Sequence, residues 1–346
     1  MCVQCGCAWG MSACLEVEAS VVTSAGAVRL VYSARRVGHA EVTAVVPTRN
    51  SARTLEACLR SLKRQTVPCS IVVVDNHSTD ASIAIGCRYG DFVAIAGPER
   101  SAQRNIGASL TTSPALGFID SDMIVGPTVV EQALTALRAG SGGVVVPEQS
   151  FGEGFWADVR RFERSFYCGS DGVEAARFFR RDVFDAVGGF DEAMAPGPED
   201  WDLTIRVRRV ATVSRISAEI AHDEGRPTLW GACAKKGYYA LGIRGFAAKH
   251  GIASMSVLDR PYVRRPWVIF SQGPRLGLGL IALKTGEAAA VVGSCMLTPG
   301  RLRRQSADSV ESSGTGDQAS AGLGGLRREG RREFTDAAPT EKAGDA

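Results

Sequence analysis

Gly117-Phe118-Ile119-Asp120-Ser121-Asp122-Met123 places two carboxylates, one small residue apart, directly behind an apolar run. Such a run reads as a buried strand, and in an open α/β sheet ligands bind at the carboxyl ends of the strands. Two acids there repel each other unless a cation or hydrogen-bond donors lie between them. A hard cation such as Mg²⁺ takes one or two carboxylates together with the phosphates of a substrate. A solvated Asp-Ser-Asp turn is the plain alternative, and only the neighbouring segments can decide between the two.

Four further groups bear chemistry. Asp75 ends the apolar run Ile71-Val72-Val73-Val74, where its carboxylate could accept from a nucleobase N–H or a ribose hydroxyl; the alternative is a cap on the next helix. Arg100, Arg104 and Asn105 precede the acidic strand, and a guanidinium there could reach a diphosphate or lie on a solvated helix face. Glu199-Asp200 opens an apolar helix after a Pro-Gly-Pro bend, at an end that favours negative charge. A carboxylate in that place can act as a general base if it reaches an acceptor hydroxyl. His222 follows a short strand, as a metal ligand or as a buried structural histidine. Downstream, Lys235, Lys236, Tyr238 and Tyr239 could contact phosphates or coat a helix.

These groups need a scaffold that brings strand ends together. Val42-Thr43-Ala44-Val45-Val46 is a β-branched run ended by Pro47, with Arg49 and Asn50 flanking the same crevice as Asp75. Leu55, Cys58, Leu59 and Leu62 then recur at helical spacing. Strands read as continuous apolar runs and alternate with helices as far as residue 225, which predicts a parallel, doubly wound α/β sheet with helices on both faces. We divide the chain into a poorly ordered extension or over-long start over 1–40, the α/β domain over 41–225, a C-terminal helical region over 226–298, and a disordered Gly/Ser/Arg/Glu-rich tail over 299–346.

Composition narrows the classes. A length of 346 residues with 45% hydrophobic and 22% charged residues is that of an ordinary globular protein, and a net charge of +3 argues for no nucleic-acid partner. The 10 cysteines show no repeated zinc-type spacing. Cys58, Cys69, Cys87, Cys168 and Cys233 read as small buried residues of a reducing compartment. The first twenty residues lack a basic start followed by an apolar block, so the expected location is cytoplasmic. Arg275 to Met296 is apolar, but Lys284 and Glu287 leave charge-free runs shorter than the roughly 20 residues a spanning helix needs. The segment 266–298 is expected to lie on the domain or at the inner face of a membrane as a peripheral contact.

The order of these segments resembles the family 2 glycosyltransferases, which have the GT-A fold. Val45-Val46-Pro47-Thr48-Arg49-Asn50, Val73-Val74-Asp75-Asn76-His77-Ser78-Thr79-Asp80, Arg104-Asn105-Ile106-Gly107, Phe118-Ile119-Asp120-Ser121-Asp122, Gly188-Gly189-Phe190-Asp191 and Glu199-Asp200-Trp201-Asp202-Leu203 carry it, from about Val42 to about Gly251. His77 stands where the family usually has Gly, and Met123 where it often has another Asp. The resemblance implies a nucleotide-sugar donor and a glycan, lipid-linked or small-molecule acceptor. It implies Asp75 on the base and Mg²⁺ or Mn²⁺ with the diphosphate at Asp120 and Asp122; beside them Pro47, Arg49, Asn50 and Arg104 are read from their positions as donor-binding residues, and His222 as a third metal ligand. Asp200 would be the base of an inverting transfer, with Glu199 in support. The competing readings are a sugar-phosphate nucleotidyltransferase, which would need a Gly-rich basic loop where Pro-Thr-Arg-Asn-Ser stands, and a non-catalytic nucleotide-sugar binding protein.

Overall fold

The computed structural model describes residues 19–23, 26–33, 40–170, 173–194, 197–251 and 261–297. The tail expected over 299–346 lies outside them. Part of the expected extension is built into the sheet: β1 (Ala19–Thr23) and β2 (Gly26–Ser33) form an antiparallel hairpin. Its second strand pairs with the next strand of the sheet at its edge. A short run of backbone can be recruited this way because a sheet edge offers unpaired N–H and C=O groups to any extended neighbour.

The centre of the sheet is parallel. β3 (Val42–Thr48), β4 (Ser70–Asp75), β5 (Phe92–Ile95) and β6 (Ala115–Phe118) stand in the order β5-β4-β3-β6. Every residue of β3, β4 and β6 is buried, because helices cover both faces. Val42, Ala44 and Val46 pack with Leu55, Leu59 and Leu62 of α1 (Ala52–Lys63). Val45, Val72 and Val74 point the other way, toward Ile106 of α3 (Arg100–Ser109). Helix α2 (Ser82–Tyr89) links β4 to β5. Gly107 permits the approach of α3 to β3, since a Cβ there would stand 2.3 Å from Val45 Cγ1.

Beyond β6 the chain turns through Asp120-Ser121-Asp122 into β7 (Met123–Val125), α4 (Val129–Arg138), β8 (Gly143–Val145), β9 (Glu148–Phe151) and α5 (Phe155–Ser165). Then follow β10 (Ala176–Arg180), α6 (Arg181–Ala186), α7 (Glu199–Arg208), β11 (Val213–Arg215) and β12 (Ile220–Asp223). β10 runs antiparallel between β6 and β8, completing a nine-stranded sheet that is mostly parallel only at its core. A second sheet, β7-β12-β9, lies after the acidic turn. This is the α/β class expected, with the small sheet added.

The C-terminal helices are α8 (Leu229–His250), α9 (Pro261–Arg264) and α10 (Pro274–Leu297). By length and composition α10 is able to cross a membrane, which the charge-free runs alone did not suggest. Two of its three charges turn inward onto α5: Lys284 bonds Glu163 and Glu287, and Arg160 bonds Glu287. Leu280 and Leu283 pack on Val159 and Phe162. Of the described cysteines, Cys58 and Cys233 are buried, whereas Cys168 is exposed, against expectation.

Candidate functional site

The carboxyl ends of β3 and β6 and the start of α7 meet at one cavity of about 360 Å³. Pro47, Arg49, Arg100, Asp120, Asp122, Asp200 and His222, all singled out in the sequence, converge on it. A second cavity of about 270 Å³ adjoins it; Asp200, His222, Arg160 and Arg164 border both. Asp200 therefore stands between two spaces.

Two arginines bind the strand-end acid to the helix-end acid. Arg104 donates from Nη2 to Asp120 Oδ1 and from Nη1 to Asp200 Oδ1, each at 2.7 Å. Arg177 Nη1 donates to Asp120 Oδ2 at 3.3 Å and to Asp200 Oδ2 at 3.4 Å, while its Nε donates to Glu148 at 2.9 Å. Arg104 is fully buried and stacks over the Phe190 ring at 5.0 Å. A buried guanidinium must be paired, and these carboxylates are its partners. Arg104 thus lines neither cavity and faces carboxylates in place of the diphosphate expected for it.

The shared arginines leave the two acids with different proton affinities. Burial would raise the Asp120 carboxyl, but Arg104, Arg177 and Arg100 outweigh it and hold it far below the ordinary range. Asp200 is raised above its ordinary value, because burial, with Glu199 and Asp120 nearby, exceeds the pull of the same arginines. Two carboxylates pushed apart in this way suit different tasks, one as a permanent anion and one as a proton acceptor. Glu199 holds the frame: Oε2 accepts from Gly197 N–H at 2.6 Å, and Oε1 lies 2.7 Å from Arg100 Nη2.

Asp122 and His222 face each other, with Oδ2 and Nε2 3.0 Å apart. Burial opposes charge on Asp122, yet the bond and charge of His222 bring its carboxyl down, helped by Lys235. Among the described residues no three His, Cys, Asp or Glu side chains form a ready cage. The donor set still suits a cation that takes part of its shell from substrate phosphates. Asp122 supplies an oxygen and each Asp120 oxygen keeps a lone pair beside its arginine bond, whereas His222, with Nδ1 3.2 Å from the Arg164 Nη2 donor and Nε2 bonded to Asp122, supplies a nitrogen only by giving up one of those bonds.

Asp75 and Asn50 have a different setting. Asp75 is fully buried, and its two oxygens accept from Ser78 Oγ at 2.6 Å and Ser78 N–H at 2.7 Å. Its carboxylate closes its own loop and does not line the cavity. Asn50 ties that loop to the end of β3: Thr79 N–H donates to Asn50 Oδ1, and Asn50 N–H donates to Ser78 Oγ. His77 takes φ +52 within this loop, a left-handed conformation that favours Gly.

Sequence reasoning missed Arg177 and Glu148, and it left Lys235 and Tyr239 undecided although both line the first cavity. The signal for Arg177 was a charge inside the otherwise apolar run Ala176-Arg177-Phe178-Phe179, where a buried partner is obligatory. Asn105 also proved structural. It accepts from Phe190 N–H and donates to Phe190 O and Glu192, clamping the turn in which Gly189 adopts φ +66.

A sequence profile described as glycosyl transferase family 2 matches residues 43–190. A pre-mycofactocin glycosyltransferase of Mycobacterium tuberculosis is 27% identical over 288 residues, which cover 75% of this chain and 59% of that protein. The chain therefore spans about 59% of the length of this curated relative. A validoxylamine A glucosyltransferase of Streptomyces hygroscopicus subsp. jinggangensis is 33% identical over 105 residues, 28% of this chain and 25% of that one. Among solved structures, the mannosyltransferase PcManGT from Pyrobaculum calidifontis, in complex with GDP-Man and Mn²⁺, aligns at 16% identity with a TM-score of 0.47, covering 79% of each chain. Residues 43–190, which carry the Asp75 loop, the acidic turn and the Gly188-Gly189-Phe190 turn, are thus similar to glycosyltransferase family 2.

Proposed function

We propose that the protein transfers a sugar from a nucleotide-activated donor to an acceptor hydroxyl, with inversion at the anomeric carbon. The observation that carries this reading is Asp200, raised in proton affinity and standing between two adjoining cavities. Donor diphosphate and sugar would occupy the cavity of Asp120 and Asp122, and the acceptor the one beside Glu148, Arg160 and Trp201. Asp200 takes the acceptor proton as that oxygen attacks C1 from the face opposite the diphosphate. The requirement is hydrogen-bond reach between the two. Mg²⁺ or Mn²⁺ at Asp122, His222 and Asp120 would neutralise charge on the departing diphosphate. Pro47, Arg49 and the loop held by Asp75 and Asn50 would form the nucleotide wall.

Asp200→Asn tests the assignment when donor binding and turnover are both measured. Retained binding with turnover lowered about 10²–10⁴-fold is expected, and full activity would remove Asp200 from the role of base. A non-catalytic sugar-nucleotide binder would show binding without turnover in the wild type as well.

The peripheral membrane contact is also proposed. With Lys284 and Glu287 turned inward, the outer face of α10 shows Leu278, Ile281 and Val292, and the preceding turn shows Trp267, 69% exposed, and Phe270. Exposed Arg265 and Arg275 lie beside them, which suits an anionic cytoplasmic leaflet. Flotation with anionic vesicles, with and without residues 266–298, decides this; equal recovery of both proteins rejects it.

A further inference from the structure

The proposed donor cavity contains five basic side chains: Arg49, Arg100, Arg160, Arg164 and Lys235. Three are committed to carboxylates. Arg100 lies 2.7 Å from Glu199, Arg164 lies 2.6 Å from Glu148, and Arg160 lies 3.3 Å from both Glu163 and Glu287. Among the described residues, no carboxylate stands within ion-pair distance of Arg49 or Lys235. These are the two cations that an anionic ligand can claim without breaking an existing pair.

They come from distant parts of the chain. Arg49 follows the end of β3, and Lys235 lies in the second turn of α8, beyond the segment the family profile matches. Lys235 and Tyr239 are four residues apart and share a face of the helix. Tyr239 also lines the cavity and lies under the Arg100 guanidinium at 5.5 Å, which fixes that face of α8 to the rim. The next residue, Lys236, lines the other cavity, so α8 lies across both. Lys235 is also within electrostatic reach of Asp122 and Glu224. An ammonium on a flexible stem has three donors and binds phosphate as a point charge.

We propose that Lys235 is a diphosphate-binding residue of the donor site, supplied by α8 and acting with Arg49. The inference rests on the glycosyltransferase reading and deepens it: the donor would be gripped partly by the C-terminal helical region. With both cations in place the cavity favours a nucleoside diphosphate over the monophosphate.

Calorimetric titration with UDP, GDP and the corresponding monophosphates, in Mg²⁺ or Mn²⁺, tests this on the full chain. The variants are Lys235→Met and Lys235→Arg. We expect Lys235→Met to weaken diphosphate binding about tenfold, to weaken monophosphate binding less, and to flatten the salt dependence. Lys235→Arg should restore most of the affinity. Lys235 is exposed, so both variants should melt with the wild type. An unchanged ratio of diphosphate to monophosphate affinity in Lys235→Met overturns the assignment while leaving the donor-site reading intact. Absence of nucleoside-diphosphate binding by the wild type sinks that reading, and the role of Lys235 with it.

Discussion

Asp120 and Asp200 are bound by the same guanidinium: Arg104 reaches each at 2.7 Å, and Arg177 closes the square from the other side. A group at the end of a strand and a group at the start of a helix are thereby held at a set separation by buried charge. Charge-assisted bonds of this kind are short and directional, so the square fixes orientation as well as distance.

The raised proton affinity of Asp200 has a kinetic consequence. A base must be ionised, so kcat/KM should fall as pH drops through its folded pKa. Because burial lifts that pKa above the ordinary carboxylate value, the acid limb should appear at higher pH than an exposed Asp would give. Removing an arginine should move the limb upward further. A pH–rate profile of the wild type against Arg177→Met reads this directly, and coincident limbs would contradict the arrangement.

Arg177→Met should also destabilise the protein. It strands Glu148, Asp120 and Asp200 with one cation fewer in a buried setting. Breaking a buried ion pair from one side costs about 3–5 kcal/mol. Denaturant unfolding should show a loss of that order, and the additional change Glu148→Gln should recover part of it. A loss within the range of surface substitutions would mean that the square is dispensable.

Metal removal has a specific expected pattern. Chelation should abolish turnover, and Mn²⁺ should bind weakly alone and more tightly with a nucleoside diphosphate present, because the described side chains do not form a three-ligand cage. Asp122→Ala or His222→Ala should lower Mn²⁺ affinity in the presence of the diphosphate. Diphosphate binding that is indifferent to metal in the wild type and in both variants would refute the site.

Glu163 should make the α5–α10 contact sensitive to acid. Burial raises its carboxyl, but Lys284 and Arg160 prevail and bring it to about 2, below the ordinary 4.5. Its contribution to stability is therefore complete above about 4.5 and is lost as pH falls toward about 2. Glu163→Gln should lower stability at neutral pH and flatten the pH dependence within that window. A parallel acid-unfolding curve for the two proteins would overturn the linkage.

His77 offers a local test of the Asp75 loop. A non-Gly residue at positive φ costs roughly 1–2 kcal/mol, and Gly returns about 0.5–1 kcal/mol of that to the unfolded chain. His77→Gly should therefore leave stability unchanged or raise it by about 0.5 kcal/mol in thermal melts. A clear loss would show that the His77 side chain contributes something of its own.

The sequence alone determined the sheet class and the place of the site. Apolar runs such as Val42–Val46 and Ile71–Val74 can be buried only between two helical layers, and acids directly after such runs fall at the carboxyl edge. Those are near-neighbour patterns, legible because period and spacing are local. What charges the acids meet is not local. Arg104 turns inward to Asp120 and Asp200, Arg177 arrives from β10, and Asp75 closes onto Ser78. The tertiary structure decided these, because a buried charge takes whichever opposite charge the folded chain places within reach, and that partner has no fixed distance along the sequence.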